Sequence, residues 1–168
     1  MSPGGRVALI GYGHPSRGDD AAGPLVARRL RGMLPADVEV REILGDGASL
    51  MEAWAGFDRV VIVDAVVSGS PAGTLHRLDG RRLPDTAEFR SPSSHSLGLI
   101  EAIRLAGTLG RLPRVLEIIG IEGRRFETGE PAGPEVQEGI ARAAAVLLDE
   151  FAAGPAGPAP PRTAGGGG

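Results

Sequence analysis

Neither cysteine nor lysine occurs in this 168-residue chain. Without cysteine there are no disulfides, no thiolate metal sites and no cysteine nucleophile. Because all 18 basic residues are arginines, Schiff-base catalysis and a Walker-type phosphate loop are excluded as well. Histidine is scarce, so any imidazole chemistry rests on His14, His76 or His95. Long apolar runs are missing too. The longest, residues 60–67, is broken by Asp64 and falls far short of the roughly 20 residues a membrane span needs. Residues 7–10 are too short for the apolar core of a signal peptide. A cytoplasmic protein without membrane contact is expected. The net charge of -3 offers no basic field for nucleic acid. There is no G-x-S-x-G elbow and no H-E-x-x-H helix, which argues against a serine hydrolase and a zincin.

What remains is the composition of a globular protein, 42% hydrophobic and 23% charged, of a length that suits one domain. That domain is expected over residues 1–153. Residues 154–168, all but two of them Gly, Pro or Ala, lack the side chains to offset ordering entropy and read as a disordered tail. Strands are expected at 7–11, 37–44, 57–65, 74–78 and 114–121, and helices at 24–34, 48–55, 96–108 and 134–151. Ser93 or Ser94 is expected to cap the third helix, with Leu97, Ile100, Ile103 and Leu109 on its apolar face. Strands alternating with helices predict a three-layer α/β/α domain. Its twisted sheet has about five mostly parallel strands, with 74–78 as the antiparallel member.

Residues 11–23, GYGHPSRGDDAAG, organise the chain. They join the first strand to the first helix, at the sheet edge where ligands bind in such folds. The glycine spacing departs from G-x-G-x-x-G, and Asp19 and Asp20 stand where a pyrophosphate would need bare amides. Carboxylates there suit a cation instead.

Asp20 follows the first strand, Asp46 the second, and Asp64 ends the third. In a parallel sheet these ends converge on one edge, and His95 at the start of a later helix falls there too. Two carboxylates and an imidazole with an open position suit zinc, nickel or cobalt. Other readings stay open. Asp20 divides evenly between a helix cap and the site, and Asp19 is assigned to capping. Asp46 in Asp-Gly reads as a turn residue. Asp64 resists such explanation, because a lone buried carboxylate costs several kcal/mol unless paired or bound. His95 stands open between a backbone-bonding helix-start residue and a ligand. His14 is either a fourth site group or a turn former. His76 is placed on the surface, and Tyr12 and Trp54 in the packing.

Four ordered motifs, GYGHPSRGDDAAGPLVARRL, DGAS at 46–49, VIVDAV at 61–66 and SHSLGL at 94–99, resemble the hydrogenase maturation endopeptidases over residues 7–151. The glycine loop departs from that family's pattern at His14, usually asparagine, and at Ala21, usually glycine. The resemblance implies a twisted α/β sheet with helices on both faces. It implies an enzyme that removes the C-terminal extension of a nickel-iron hydrogenase large-subunit precursor after nickel insertion. The implied metal ligands are Asp20, Asp64 and His95, with Asp46 important for activity and nickel carried by the precursor. A monomer meeting its precursor transiently is expected. A non-catalytic nickel-sensing or chaperone module, or another metal-dependent peptidase on this fold, are the alternatives.

Overall fold

The near-continuous apolar run after Phe57 forms the central strand β3 (Arg59–Val66), buried on both faces as parallel strands under two helical layers are. The computed structural model describes residues 5–44, 46–83 and 98–154. Within them β1 (Val7–Tyr12), β2 (Val38–Ile43), β3, β4 (Leu75–Asp79) and β5 (Val115–Glu122) form one sheet. Its order is β2-β1-β3-β5-β4. The pairs β1–β2, β1–β3 and β3–β5 are parallel, and β4 joins β5 antiparallel at the edge, as expected.

Helices α1 (Ala22–Leu30) and α4 (Pro134–Ala152) cover one face. They pack Val26, Leu30, Ile140 and Leu147 against Leu9, Val61, Val63 and Ile121. Helices α2 (Gly47–Trp54) and α3 (Leu99–Thr108) cover the other, where Leu50, Trp54, Leu99 and Ile103 meet Ile10, Val60, Ile62 and Ile118. Trp54 is core, as read, and its indole N–H donates to the Arg111 carbonyl at 2.9 Å.

Two helices differ from expectation. Helix α1 stops at Leu30 rather than at residue 34, because Arg31 turns extended and Gly32 takes φ +82°, a left-handed stop that glycine adopts without strain. Helix α3 is capped by Gly98, so Ser93 and Ser94 do not start it. They lie outside the described residues, as do His95, Leu97 and the expected tail beyond Gly154. The buried face of α3 is Leu99, Ala102, Ile103 and Ala106, whereas Leu109 is 53% exposed.

Close packing of α1 is what brings its leading turn onto the sheet. A Cβ on Gly23 would run into the carbonyl oxygens of Val63 and Tyr12, and one on Gly11 into the Gly23 carbonyl. With no side chain at either position, the start of α1 sits directly over the ends of β1 and β3. These strands flank the point where the chain reverses its direction of travel across the sheet, from β2 beside β1 to β3 on the other side. In doubly wound folds ligands bind in the crevice at that reversal.

Candidate active site at the carboxyl edge of the sheet

Asp64 and Asp20 meet at this reversal. Asp64 lies on β3 with 2% exposure. The alternation of the strand puts it on the α2–α3 face with Val60 and Ile62. Across β5 its partner is Gly120, which has no side chain to crowd the carboxylate. Asp20 lies in the 3₁₀ turn Gly18–Ala21 that follows the glycine loop, 4% exposed. Its Oδ2 accepts the His14 backbone N–H at 3.1 Å.

Both carboxyls are pushed up from the ordinary range. Asp64 is raised well above it, by burial first and by the charge of Asp20 second, against a lowering hydrogen bond from the Ala65 N–H. Burial also raises Asp20, outweighing the His14 N–H, the Arg17 guanidinium and the His14 ring, which favour its charge. Like charges withdrawn from water can be relieved by a proton or by a cation. The donor set, oxygens of two buried carboxylates, fits a divalent metal ion. Among the described residues no three acidic or histidine side chains group as a metal site. The expected third ligand, His95, lies outside those residues.

The remaining polar residues sort themselves by contact. Neither Asp19 nor Asp20 caps a helix: the 3₁₀ turn and α1 begin at Arg17 and Ala21 with no side-chain cap. Asp19 instead points to the β5–α4 connection, where its oxygens accept the N–H groups of Arg124, Arg125 and Gly133. Asp46 is the N-cap of α2. Its Oδ1 accepts the Ala48 N–H at 3.0 Å and its Oδ2 the Ser49 hydroxyl at 3.1 Å. The turn residue of the sequence reading is therefore a helix cap, and it is exposed.

His76 departs from its expected placement, and Tyr12 keeps its placement with a second role added. His76 is not on the surface: its side chain is 16% exposed, and Nε2 lies 3.1 Å from Oε2 of the buried Glu122. The same carboxylate accepts the backbone N–H groups of Ser68 and Gly69 and the Ser68 hydroxyl, tying the loop after β3 to the end of β5. Burial favours the neutral acid, but these hydrogen bonds together hold Glu122 below the usual carboxylate range. Tyr12 is packed, as read, yet it also belongs to the site. One step beyond the Gly11–Val63 pair, it ends β1 beside Asp64 on the same face. Burial first, then the charges of Asp64, Asp46, Asp20 and Glu101, raise its hydroxyl far above the ordinary range. The phenol stays protonated among carboxylates. Alternation along β1 was the available signal, since Tyr12 and Asp64 fall on one pleat of adjacent strands.

A doubly wound α/β domain with a buried acid pair at its chain reversal is the class that this geometry defines. Residues 26–150 match the hydrogenase maturation protease family, and the chain belongs to it. The Hydrogenase 2 maturation protease of Escherichia coli is 29% identical over 136 residues, covering 79% of this chain and 82% of that protein. The hydrogenase expression/formation protein HupD of Thiocapsa roseopersicina is 26% identical over 149 residues, covering 87% and 67%. The solved structure of the [NiFe] hydrogenase maturation protease HycI from Thermococcus kodakarensis aligns with a TM-score of 0.72 at 25% identity, over 90% of this chain and 95% of that one. For the hydrogenase maturating endopeptidase HybD of E. coli the values are 0.70, 25%, 89% and 94%. The enzyme is accordingly a protease. No helix among the described residues is long and apolar enough to cross a membrane.

Proposed function

We propose that this protease removes the C-terminal extension of a nickel-iron hydrogenase large-subunit precursor once nickel has been inserted. The observation that carries the reading is the Asp20–Asp64 pair. It is buried, mutually repelling and held at the sheet reversal by a helix packed through two glycines. Such a pair is relieved by a proton or by a cation, and a precursor that carries nickel delivers a cation together with its peptide.

In this reading Asp20, Asp64 and His95 take the nickel of the incoming substrate as ligands. Bound there, the ion supplies Lewis acidity to a peptide carbonyl or lowers the pKa of a water. Asp46, with one oxygen on Ala48 and the other on Ser49, keeps lone pairs free to orient a ligand or to take a proton from water. Tyr12 remains a neutral donor beside Asp64. The protein acts as a cytoplasmic monomer that meets its precursor transiently, and it needs no nucleic acid.

The test incubates the protein with nickel-loaded and nickel-free precursor and reads intact masses. Loss of a C-terminal peptide from the loaded form alone is expected. His95→Ala should abolish the cut while unfolding at the wild-type temperature. Normal processing by that variant removes His95 from the ligand set, and cleavage of both precursor forms refutes the metal gate.

A further inference from the structure

We infer that Asp19 is the positioning residue that aims Asp20. The inference rests on the reading of Asp20 and Asp64 as the reactive pair. Asp19 is 2% exposed, and both of its oxygens are engaged. Oδ2 accepts the Arg124 N–H at 2.7 Å and the Arg125 N–H at 2.9 Å, and Oδ1 accepts the Gly133 N–H at 2.8 Å. The backbone continues the same strap: Asp19 N–H donates to the Arg125 carbonyl at 2.7 Å, Gly18 N–H to Glu130 and Gly129 N–H to Ser16, both at 2.8 Å. Residues 16–19 are thereby fastened to residues 125–133, which lead into α4.

Consecutive residues of a 3₁₀ turn diverge by about a third of a revolution. Fixing the direction of Asp19 toward the β5–α4 connection therefore fixes Asp20 toward the sheet edge, where Oδ2 receives the His14 N–H. A carboxylate is the side chain that can do this. It presents two acceptor oxygens to three donors through charge-assisted bonds, whereas asparagine keeps one oxygen and turns an N–H₂ toward a backbone N–H. The fit is close, since a Cβ on Gly123 would lie 2.9 Å from the Asp19 Cβ. The adjacent acids thus divide the work: Asp20 faces the chemistry and Asp19 holds it in place.

The test compares the ¹⁵N-labelled full chain with Asp19→Asn, well below either unfolding temperature, by amide hydrogen exchange and by cleavage of nickel-loaded large-subunit precursor. Gly123→Ala is the second variant. It displaces Asp19 and its strap by packing without removing the carboxylate, should Asp19→Asn not fold. Arg77→Met, which removes ion pairs to Glu117 and Glu150, controls for lost stability alone. Exchange at the His14 N–H should quicken at least about tenfold, and kcat should fall about a hundredfold with KM within about twofold, the signature of a misplaced reacting group. The control should alter neither. Wild-type exchange at His14 overturns the inference even if Arg124, Arg125 and Gly133 exchange faster, and so does a wild-type kcat. If the wild-type protein leaves the precursor uncut, the proposed function fails, and exchange at His14 alone then decides whether Asp19 aims Asp20.

Discussion

Replacing Asp64 by asparagine should make the metal-free protein more stable at neutral pH while abolishing cleavage. Asp64 sits at 2% exposure on the central strand. Burial, and then the charge of Asp20, raise its carboxyl well above the ordinary range. A carboxyl whose pKa rises on folding binds more protons in the folded chain than in the unfolded one. Stability therefore falls as the pH climbs from the ordinary carboxylate range to the raised pKa, and the full penalty stands above it. Asparagine has nothing to ionise. A lone buried carboxylate costs several kcal/mol, and because asparagine still buries a polar amide, about 1–3 kcal/mol of that is expected to be recovered. For a chain of this length that is a rise of roughly 2–12 °C in Tm.

The assay is thermal unfolding of both proteins, free of metal, from acid to neutral pH. The gap should be widest near neutrality and close below about pH 4, where the unfolded carboxyl also takes its proton. Asp20→Asn should stabilise too. Because each acid repels the other, the double variant should gain less than the two single gains added together. A Tm for Asp64→Asn at or below wild type at neutral pH, or a gap that does not change with pH, refutes the view of Asp64 as a repelled charge.

Gly23→Ala should cost about 1–3 kcal/mol and lower activity, because its Cβ meets the Val63 and Tyr12 carbonyls and lifts α1 from the strands that carry the acids. A wild-type Tm in chemical or thermal unfolding contradicts that packing. Asp46→Ala should lose about 1 kcal/mol with the α2 cap, whereas Asp46→Asn keeps the cap. Cleavage lost in the asparagine variant at unchanged Tm assigns the charge to chemistry, and cleavage retained leaves Asp46 as a cap alone. The depressed Glu122 carboxyl contributes stability that is present above the ordinary carboxylate range and lost as the pH falls through its folded pKa. Glu122→Gln should therefore unfold earlier by about 2 kcal/mol near neutral pH, with the difference shrinking in acid. A pH-independent difference refutes this.

The layers of the fold were readable because burial is written in periodicity. The apolar run of β3, buried on both faces, has no other economical place than mid-sheet, and the weaker pattern of residues 74–78 belongs to an edge strand. Helix ends were harder. The stop of α1 depends on Gly32 reaching φ +82° while Leu34 still continues the apolar spacing and packs against the core as a partly buried residue. Periodicity reports which side chains find the core, and it does not report whether the backbone between them is still helical. The apolar face of α3 slipped for another reason. Leu109 stands six residues past Ile103, off the helical repeat, follows the last helical residue, Thr108, and lies in solvent.

The acid pair was legible for a different reason: a carboxylate inside an apolar strand has few tolerable explanations, and parallel topology brings strand ends together. Direction was not legible. Asp19 and Asp20 are the same residue type in adjacent positions. Sequence alone favours capping for the first and divides evenly for the second, yet neither caps, and one looks to the sheet edge while the other straps a connection more than a hundred residues away in sequence. Glu122 and His76 carry the same lesson. Nothing local marks a histidine on an edge strand as the partner of a glutamate 46 positions on. In each case the deciding contact is a hydrogen bond between segments that only the finished sheet brings together. A residue type at a motif position therefore identifies candidates for chemistry, and which of two neighbours performs it is settled by the donors that the fold supplies to the other.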